Sequence, residues 1–310
     1  MEITYFVSGS HPYEEAIYFG VGPSFGAAFG WRVEPVERLT ACACDIGVLD
    51  NRLEPEDVNI IEAFLARPAE RRIPIFFRIS DPDMVLSANP CVKYIFSCAD
   101  RPGVHFATTY DPEGPFRDFV QKLAISRVVH LPYPYERRRE VDCGLEARRR
   151  RIFLAGANDP KLYPLRQKLR RQRGRNPLLR AIITDLPHPG YPDKGAALKH
   201  AIVRERFVDY AARFTHFFLC PTVYESELAK YAECAYAGSV PVGLPPKSLK
   251  PHLGDCFLLW RGGAIELARV LLSNLDEMRA RAATYRAIMR RLRDPAVLSQ
   301  NFMEQVASFV

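Results

Sequence analysis

Several familiar signatures are missing from this 310-residue chain. Its eight cysteines form no CxxC pair. Cys42 and Cys44 make a lone CxC, and a zinc site would need two further ligands that the sequence does not place. Its glycines match neither GxGxxG nor a P-loop. No apolar run approaches the roughly 18 residues that span a bilayer. Met1-Glu2-Ile3-Thr4 opens directly into a strand pattern, without the basic start and apolar core of a signal peptide. There is no internal repeat and no low-complexity tract. Several cysteines sit within apolar runs, which predicts buried free thiols in a reducing compartment. The expectation is a soluble, cytoplasmic protein.

What is present is ordinary globular composition, 48% hydrophobic and 25% charged, with 25 prolines and a formal net charge of +7. The basic excess is clustered at Arg137–Arg139, Arg148–Arg151, Lys168–Arg175 and Arg279–Arg293. Such clusters favour anionic partners. Their alternative role is to form solvated helix faces and linker surface, and that reading is preferred for most of them.

Residues 3–8, 73–79, 92–98 and 127–131 have the apolar, β-branched character of buried strands, and 31–33, 41–49 and 104–109 suggest more. Placing Cys42 and Cys44 in one strand points their side chains the same way. Helical periodicity covers 57–65 and 116–125. The glycine-rich loop after the first strand, Gly9 to Gly30, is where a ligand could approach the backbone. Residues 132–150 are rich in proline and charge. A second α/β series follows, with strands at 151–155, 179–184, 217–220, 240–242 and 257–260, and helices at 163–173, 203–213, 227–236, 266–293 and 297–309. The alternation predicts two parallel-sheet, Rossmann-like α/β domains facing a cleft. Expected bounds are 1–135 for the first domain, 136–150 for a linker, 151–290 for the second domain, and 291–310 for a C-terminal helix crossing back to the first.

The most informative stretch runs from His216 to Gly243: strand, polar loop, short helix, glycine stop, strand. A helix start beyond a buried strand offers free backbone N–H groups to an anion. Lys230 and Glu233 share one helix face, an arrangement that is commonly only a solvated ion pair. Here the pair lies among small residues between two apolar strands. In the second domain three strand ends supply Arg166, His188, Lys230, Glu225 and Glu233. Cations suit phosphate, and a carboxylate suits a ribose diol. Together they describe a nucleoside-diphosphate site.

Tyr224 to Gly243 resembles the donor-binding signature of GT-B glycosyltransferases. Two glutamates, Glu225 and Glu233, precede the small-residue segment Ala237-Gly238-Ser239-Val240-Pro241-Val242. The Lys230-Tyr231-Ala232-Glu233 form, preceded by a strand and Cys220-Pro221, is similar to exostosin-like transferases. The resemblance spans roughly residues 205–260. It implies that Glu233 holds the ribose and that Lys230 neutralises the diphosphate. Tyr224, Glu225 and Ser226 then lie near the donor sugar or phosphates. Arg166, after Gly156, is a second phosphate ligand, and His188 lines the base or sugar. Ser226-Glu227 replaces the usual Gly-Phe after the first glutamate, which bears on Glu225 more than on Glu233.

The implied activity is transfer of a hexosyl or pentosyl group from a nucleotide sugar to a glycan or other sugar acceptor. It implies no metal and no cofactor beyond the donor. An inverting reaction also needs a base from the first domain. His11 and Asp81 lead the candidates, followed by Glu14, Glu15 and Asp111. A retaining reaction needs none. Asp81-Pro82-Asp83 also has the form of a metal-binding DxD of GT-A glycosyltransferases. A basic nucleic-acid-binding protein and an inactive transferase-like scaffold are the other readings. The arginines are not interleaved with aromatics in a recognisable nucleic-acid module, so no nucleic-acid partner is expected. The late basic helices permit peripheral membrane contact.

Overall fold

A computed structural model of the chain describes residues 1–17, 19–79, 88–111, 128–192 and 196–308. It divides into two compact units, Met1–Pro134 with Arg293–Val310, and Tyr135–Leu292. Each has its own all-parallel sheet, so the two-domain α/β expectation holds.

The first unit contains β1 (Ile3–Val7), β2 (Arg32–Pro35), β3 (Ile46–Leu49), β4 (Ile75–Ile79), β5 (Val104–Thr108) and β6 (Val128–His130), in the order β2-β1-β3-β4-β5-β6. Every residue of β1, β3, β4 and β5 is buried, as expected for parallel strands covered on both faces. Alternate side chains serve opposite cores. Phe6, Leu49, Phe77 and Phe106 pack with helix residues Ile61, Phe64 and Ile95. Tyr5, Val48 and Phe76 pack with Phe25 and with Leu298, Phe302 and Val306 of the C-terminal helix. That helix is also pinned by Trp31 donating to Ser299 Oγ at 3.0 Å and the His130 N–H donating to Gln305 Oε1 at 2.9 Å.

A fully buried ion pair holds the loops beyond these strands. Asp50 follows β3 and Arg78 lies on β4, and neither is exposed. Asp50 accepts from the Tyr5 hydroxyl at 2.5 Å, from the Arg52 N–H at 2.9 Å and from Arg78 at 3.3 Å. Arg78 donates to the Gly20 carbonyl at 2.8 Å and lies 3.7 Å above the Phe25 ring. Burial alone would raise the Asp50 carboxyl, but Arg78 and Arg52 outweigh it and hold it below its ordinary range. The glycine loop is packed rather than open. Gly22 sits at φ +52, and a Cβ there would come within 2.1 Å of the Tyr13 ring.

The second unit contains β7 (Arg149–Ala155), β8 (Ile183–Leu186), β9 (Phe214–Leu219), β10 (Val240–Gly243) and β11 (Leu258–Leu259), in the order β11-β10-β9-β7-β8. The described helices of the whole chain are α1 (Pro23–Ala28), α2 (Pro55–Leu65), α3 (Pro90–Ser97), α4 (Pro164–Arg175), α5 (Pro177–Ile182), α6 (Arg204–Ala211), α7 (Ala229–Ala237), α8 (Lys250–Leu253), α9 (Ala264–Val270), α10 (Leu275–Leu292) and α11 (Pro295–Ala307). Among the described residues, no helix is long and apolar enough to cross a membrane.

Four local expectations change. Residues 92–98 form helix α3 rather than a strand. Asn89 accepts from the Cys91 N–H, Pro90 occupies the first turn, and Cys91 and Ile95 bury one face. Residues 179–182 belong to α5, capped by Asn176, and β8 begins only at Ile183. Cys42 and Cys44 lie in the loop before β3, not within a strand. The long helical stretch 266–293 breaks into α9 and α10. Residues 136–150, read as linker, fall within the second unit: Leu145 is buried and β7 already begins at Arg149. The helix expected at 116–125 lies outside the described residues.

Asp50→Ala would leave the Arg78 guanidinium buried without its carboxylate. It should cost about 3–5 kcal/mol, read from urea unfolding at neutral pH. Because the folded carboxyl is depressed, this contribution is present above the unfolded carboxyl pKa. It is lost as pH falls through the folded value, so the difference from wild type should shrink in acid.

Candidate functional site

Strands β9, β7 and β8 are neighbours, so the loops leaving their carboxyl ends meet on one edge of the second sheet. β7 is followed by Gly156, whose φ is +107; a Cβ there would lie 2.7 Å from Arg166 Nη1. Arg166, on α4, is only 4% exposed. It donates to the Ala157 carbonyl at 3.0 Å, and its guanidinium lies 4.2 Å from the Tyr163 ring centroid. One turn further, Arg170 donates to Asp185 Oδ1 at 2.8 Å and to the Gly156 carbonyl at 3.1 Å. Two arginines of the basic helix are therefore turned inward to organise the loop after β7.

Beyond β8, His188 Nδ1 accepts from the Gly190 N–H at 3.1 Å, and its ring lies 4.3 Å from that of Tyr191. Burial, and then the charges of Lys230, Lys199 and Arg166, push this imidazole down to about 4. It is therefore neutral at physiological pH, able to donate from one nitrogen and accept at the other. The order β9-β7-β8 puts the loops that carry Lys230, Arg166 and His188 at the same edge of the sheet.

The third loop, after β9, is tightly hydrogen-bonded. Thr222 accepts from the Tyr224 N–H at 3.2 Å through its hydroxyl and from the Glu225 N–H at 3.0 Å through its carbonyl. Glu225 itself adopts φ +54, a left-handed conformation unusual for its type, and is exposed. Ser226 is buried and donates to the Tyr224 carbonyl at 3.3 Å. Glu227 is buried as well. The sequence had flagged it only as a departure from the expected Gly-Phe.

Helix α7 then begins without a side-chain cap. Lys230 Nζ lies 2.6 Å from Glu233 Oε2 and 3.9 Å from the Phe207 ring centroid. The Glu233 side chain is 3% exposed and that of Lys230 23%. This is not the solvated surface pair that the spacing alone would suggest. The far end of α7 stops at left-handed Gly238. There Arg286 donates to the Ala235 and Tyr236 carbonyls at 2.9 and 3.1 Å, and Arg148 to the Gly238 carbonyl at 3.1 Å. Two cations at the helix carboxyl end satisfy its free carbonyls and oppose its dipole.

The structure thus brings together Gly156, Arg166, His188, Lys230 and Glu233, with Tyr224, Glu225 and Ser226 in the adjoining loop. His11 belongs to the first unit. Its Nδ1 lies 2.8 Å from Glu54 Oε1, its ring meets Tyr13 edge-on, and its enclosed Nε2 has no partner among the described residues. Glu14 and Glu15 are exposed in a single short turn. Asp81 and Asp83 lie outside the described residues. Among the described residues no group of three or more His, Cys, Asp or Glu side chains is placed to hold a metal ion. Three participants escaped the sequence reading: Glu54, Arg170 and Asp185. Arg170 stands four residues after Arg166, a helical spacing that could have pointed to it.

No family model and no curated protein matches the chain. Solved structures do match in fold. HepE from Anabaena, in complex with UDP and glucose, is 11% identical with a TM-score of 0.56, over 99% of this chain and 100% of that one. The UDP-forming α,α-trehalose-phosphate synthase of Burkholderia vietnamiensis is 14% identical with a TM-score of 0.55, over 88% and 75%. The E. coli trehalose-6-phosphate enzyme bound with UDP-2-fluoro glucose is 12% identical with a TM-score of 0.54, over 87% and 75%. The fold is therefore the two-sheet α/β fold of GT-B glycosyltransferases.

Lys230→Met would leave the Glu233 carboxylate enclosed without a cation. About 2–4 kcal/mol of stability should be lost, and the double variant Lys230→Met/Glu233→Gln should recover part of it. Chemical denaturation of the two variants checks both statements.

Proposed function

We propose that this protein is a metal-independent glycosyltransferase, moving a sugar from a nucleoside-diphosphate sugar to a hydroxyl of a glycan or other sugar acceptor. The observation that carries the reading is the meeting of Arg166, His188, Lys230 and Glu233 at the ends of β7, β8 and β9. UDP is the first choice of leaving group, because the solved structures of like fold include complexes with UDP and with UDP-2-fluoro glucose. The narrower kinship to exostosin-like transferases rests on the Lys230–Glu233 segment of the sequence.

In this reading the Glu233 carboxylate accepts from the ribose diol, and Lys230 beside it faces the diphosphate. Arg166 and the uncapped first turn of α7 add positive potential where charge grows on the departing phosphate. Neutral His188 contacts the base or sugar without adding charge, and the loop of Tyr224, Glu225 and Ser226 faces the donor sugar. If the reaction inverts, His11 is the favoured base. Glu54 on Nδ1 would fix the tautomer and orientation of its ring. A cytoplasmic setting is supported by eight free cysteines, five of them buried.

The basic surplus does not favour a nucleic-acid partner. Arg139 pairs with Glu136, Arg170 with Asp185, Arg279 with Glu146 and Arg290 with Glu140, while Arg148 and Arg286 serve α7.

A thermal-shift series with nucleoside diphosphates and nucleotide sugars tests the reading. At least one, UDP first, should raise the melting temperature by several degrees with an excess of chelator present. Glu233→Gln, which keeps the side-chain shape, should weaken that binding about tenfold or more, as expected for losing a charge-assisted pair of hydrogen bonds. If no nucleotide shifts the wild-type protein, the donor-site reading fails.

A further inference from the structure

Cys42 and Cys44 stand apart from the site above, at the amino ends of the first unit's strands. Thr4 on β1 and Arg32 at the start of β2 are their polar neighbours. Cys42 Sγ accepts from Arg32 Nη2 at 2.6 Å and lies 3.6 Å from Thr4 Oγ1. Cys44 hydrogen-bonds to the same threonine and to Cys42. Both residues are half-buried, so small reagents can reach them. Arg32 also faces Glu2 at 3.3 Å and Glu34 at 3.7 Å, two carboxylates that keep it charged and hold it in place.

The Arg32 guanidinium against the Cys42 sulfur holds and orients that thiol for attack on an incoming disulfide. The second thiol is in a different condition. Burial, and the proximity of Cys42, push Cys44 up to about 11, although Thr4 and Arg32 act the other way. The two sulfurs thus differ: Cys42 has a cation directly against it, whereas Cys44 is held in its protonated form by burial. Two residues of chain span at most about 7 Å when extended, so the Cα separation falls in the range a disulfide can bridge.

We propose that Cys42 and Cys44 form a redox-active dithiol, with Cys42 as the nucleophile held by Arg32, Cys44 as the resolving thiol, and a low-molecular-weight disulfide as the oxidant. The Cys42 thiolate attacks one sulfur of the disulfide RSSR, forming a Cys42–S–S–R bond and releasing RS⁻. With the Cys42 charge gone, Cys44 gives its proton to the released thiolate. It then attacks the Cys42 sulfur and expels the second RS⁻. Two protein sulfurs are oxidised, and one RSSR is reduced to one RSH and one RS⁻. The ring closed by neighbours two apart is small and strained, so this disulfide reverts readily and suits a reversible modification.

The experiment uses the full chain with oxidised glutathione, read by intact mass and peptide mapping. Wild type should form the internal Cys42–Cys44 disulfide, Cys44→Ala should retain one glutathione on Cys42, and Cys42→Ala should do neither. Reduced protein treated with iodoacetamide at neutral pH should be alkylated at Cys42 several-fold faster than at half-buried Cys143. Arg32→Gln, a substitution at a partly exposed side chain, should abolish most of that advantage. Alkylation of Cys42 no faster than Cys143 in folded wild type, or no glutathione on Cys42 in Cys44→Ala, overturns the proposal. Neither readout depends on nucleotide binding, so the proposal and the donor-site reading can fail separately.

Discussion

The second unit depends on keeping a carboxylate in its interior. Glu233 is almost wholly enclosed on α7, and an ionised group there is tolerable only beside a cation. Lys230, one turn earlier, supplies it at 2.6 Å, while its own amine rests over the Phe207 ring. Much of the surrounding structure serves this arrangement. Small residues at 232, 235 and 237 let α7 lie close to its neighbours. Gly238 ends it, and Arg148 and Arg286 secure its carboxyl end. Lys230 retains some exposure, so the pair is poised at an edge where a ligand can exchange partners with it.

The first unit contains a comparable pair with a different outcome. Asp50 just after β3 and Arg78 on β4 also face each other from adjacent strands, but both are sealed off, and they share hydrogen bonds with Tyr5, Arg52, Gly20 and Gly22. A sealed network of this kind specifies loop geometry, although Arg78 Nε is left without a partner among the described residues. The glycine loop it fastens is accordingly a packed element. Burial distinguishes the two pairs more sharply than their chemistry does.

Arginine usage follows the same division. The chain carries a surplus of +7, yet many guanidiniums are engaged within their own unit, as ion pairs or as donors to backbone carbonyls. The planar fork of arginine can serve several carbonyls at once, which lysine's point charge does less well. Arg166 and Arg32 stand at positions where chemistry is proposed: one against the loop after β7, the other against a thiol.

By itself the sequence determined the buried strands closely, because short, mostly apolar runs such as 73–79 and 217–220 suit a strand covered on both faces. It also determined the Lys230–Glu233 pairing and the Gly238 stop, since spacing within one helix places side chains directly. It misled at 92–98, where a short apolar run fits strand or helix equally and the Asn89-Pro90 cap was the deciding signal. Tertiary structure alone decided which loops meet. His188, Arg166 and Lys230 converge because β9, β7 and β8 are neighbours, an order that no local pattern encodes. His11 and Glu54, 43 residues apart, meet for a comparable reason: β1 and β3 lie side by side, although residues 8–45 separate them in the chain. Strand order results from the packing of whole layers, so contacts between strand ends become legible only when the sheet is assembled.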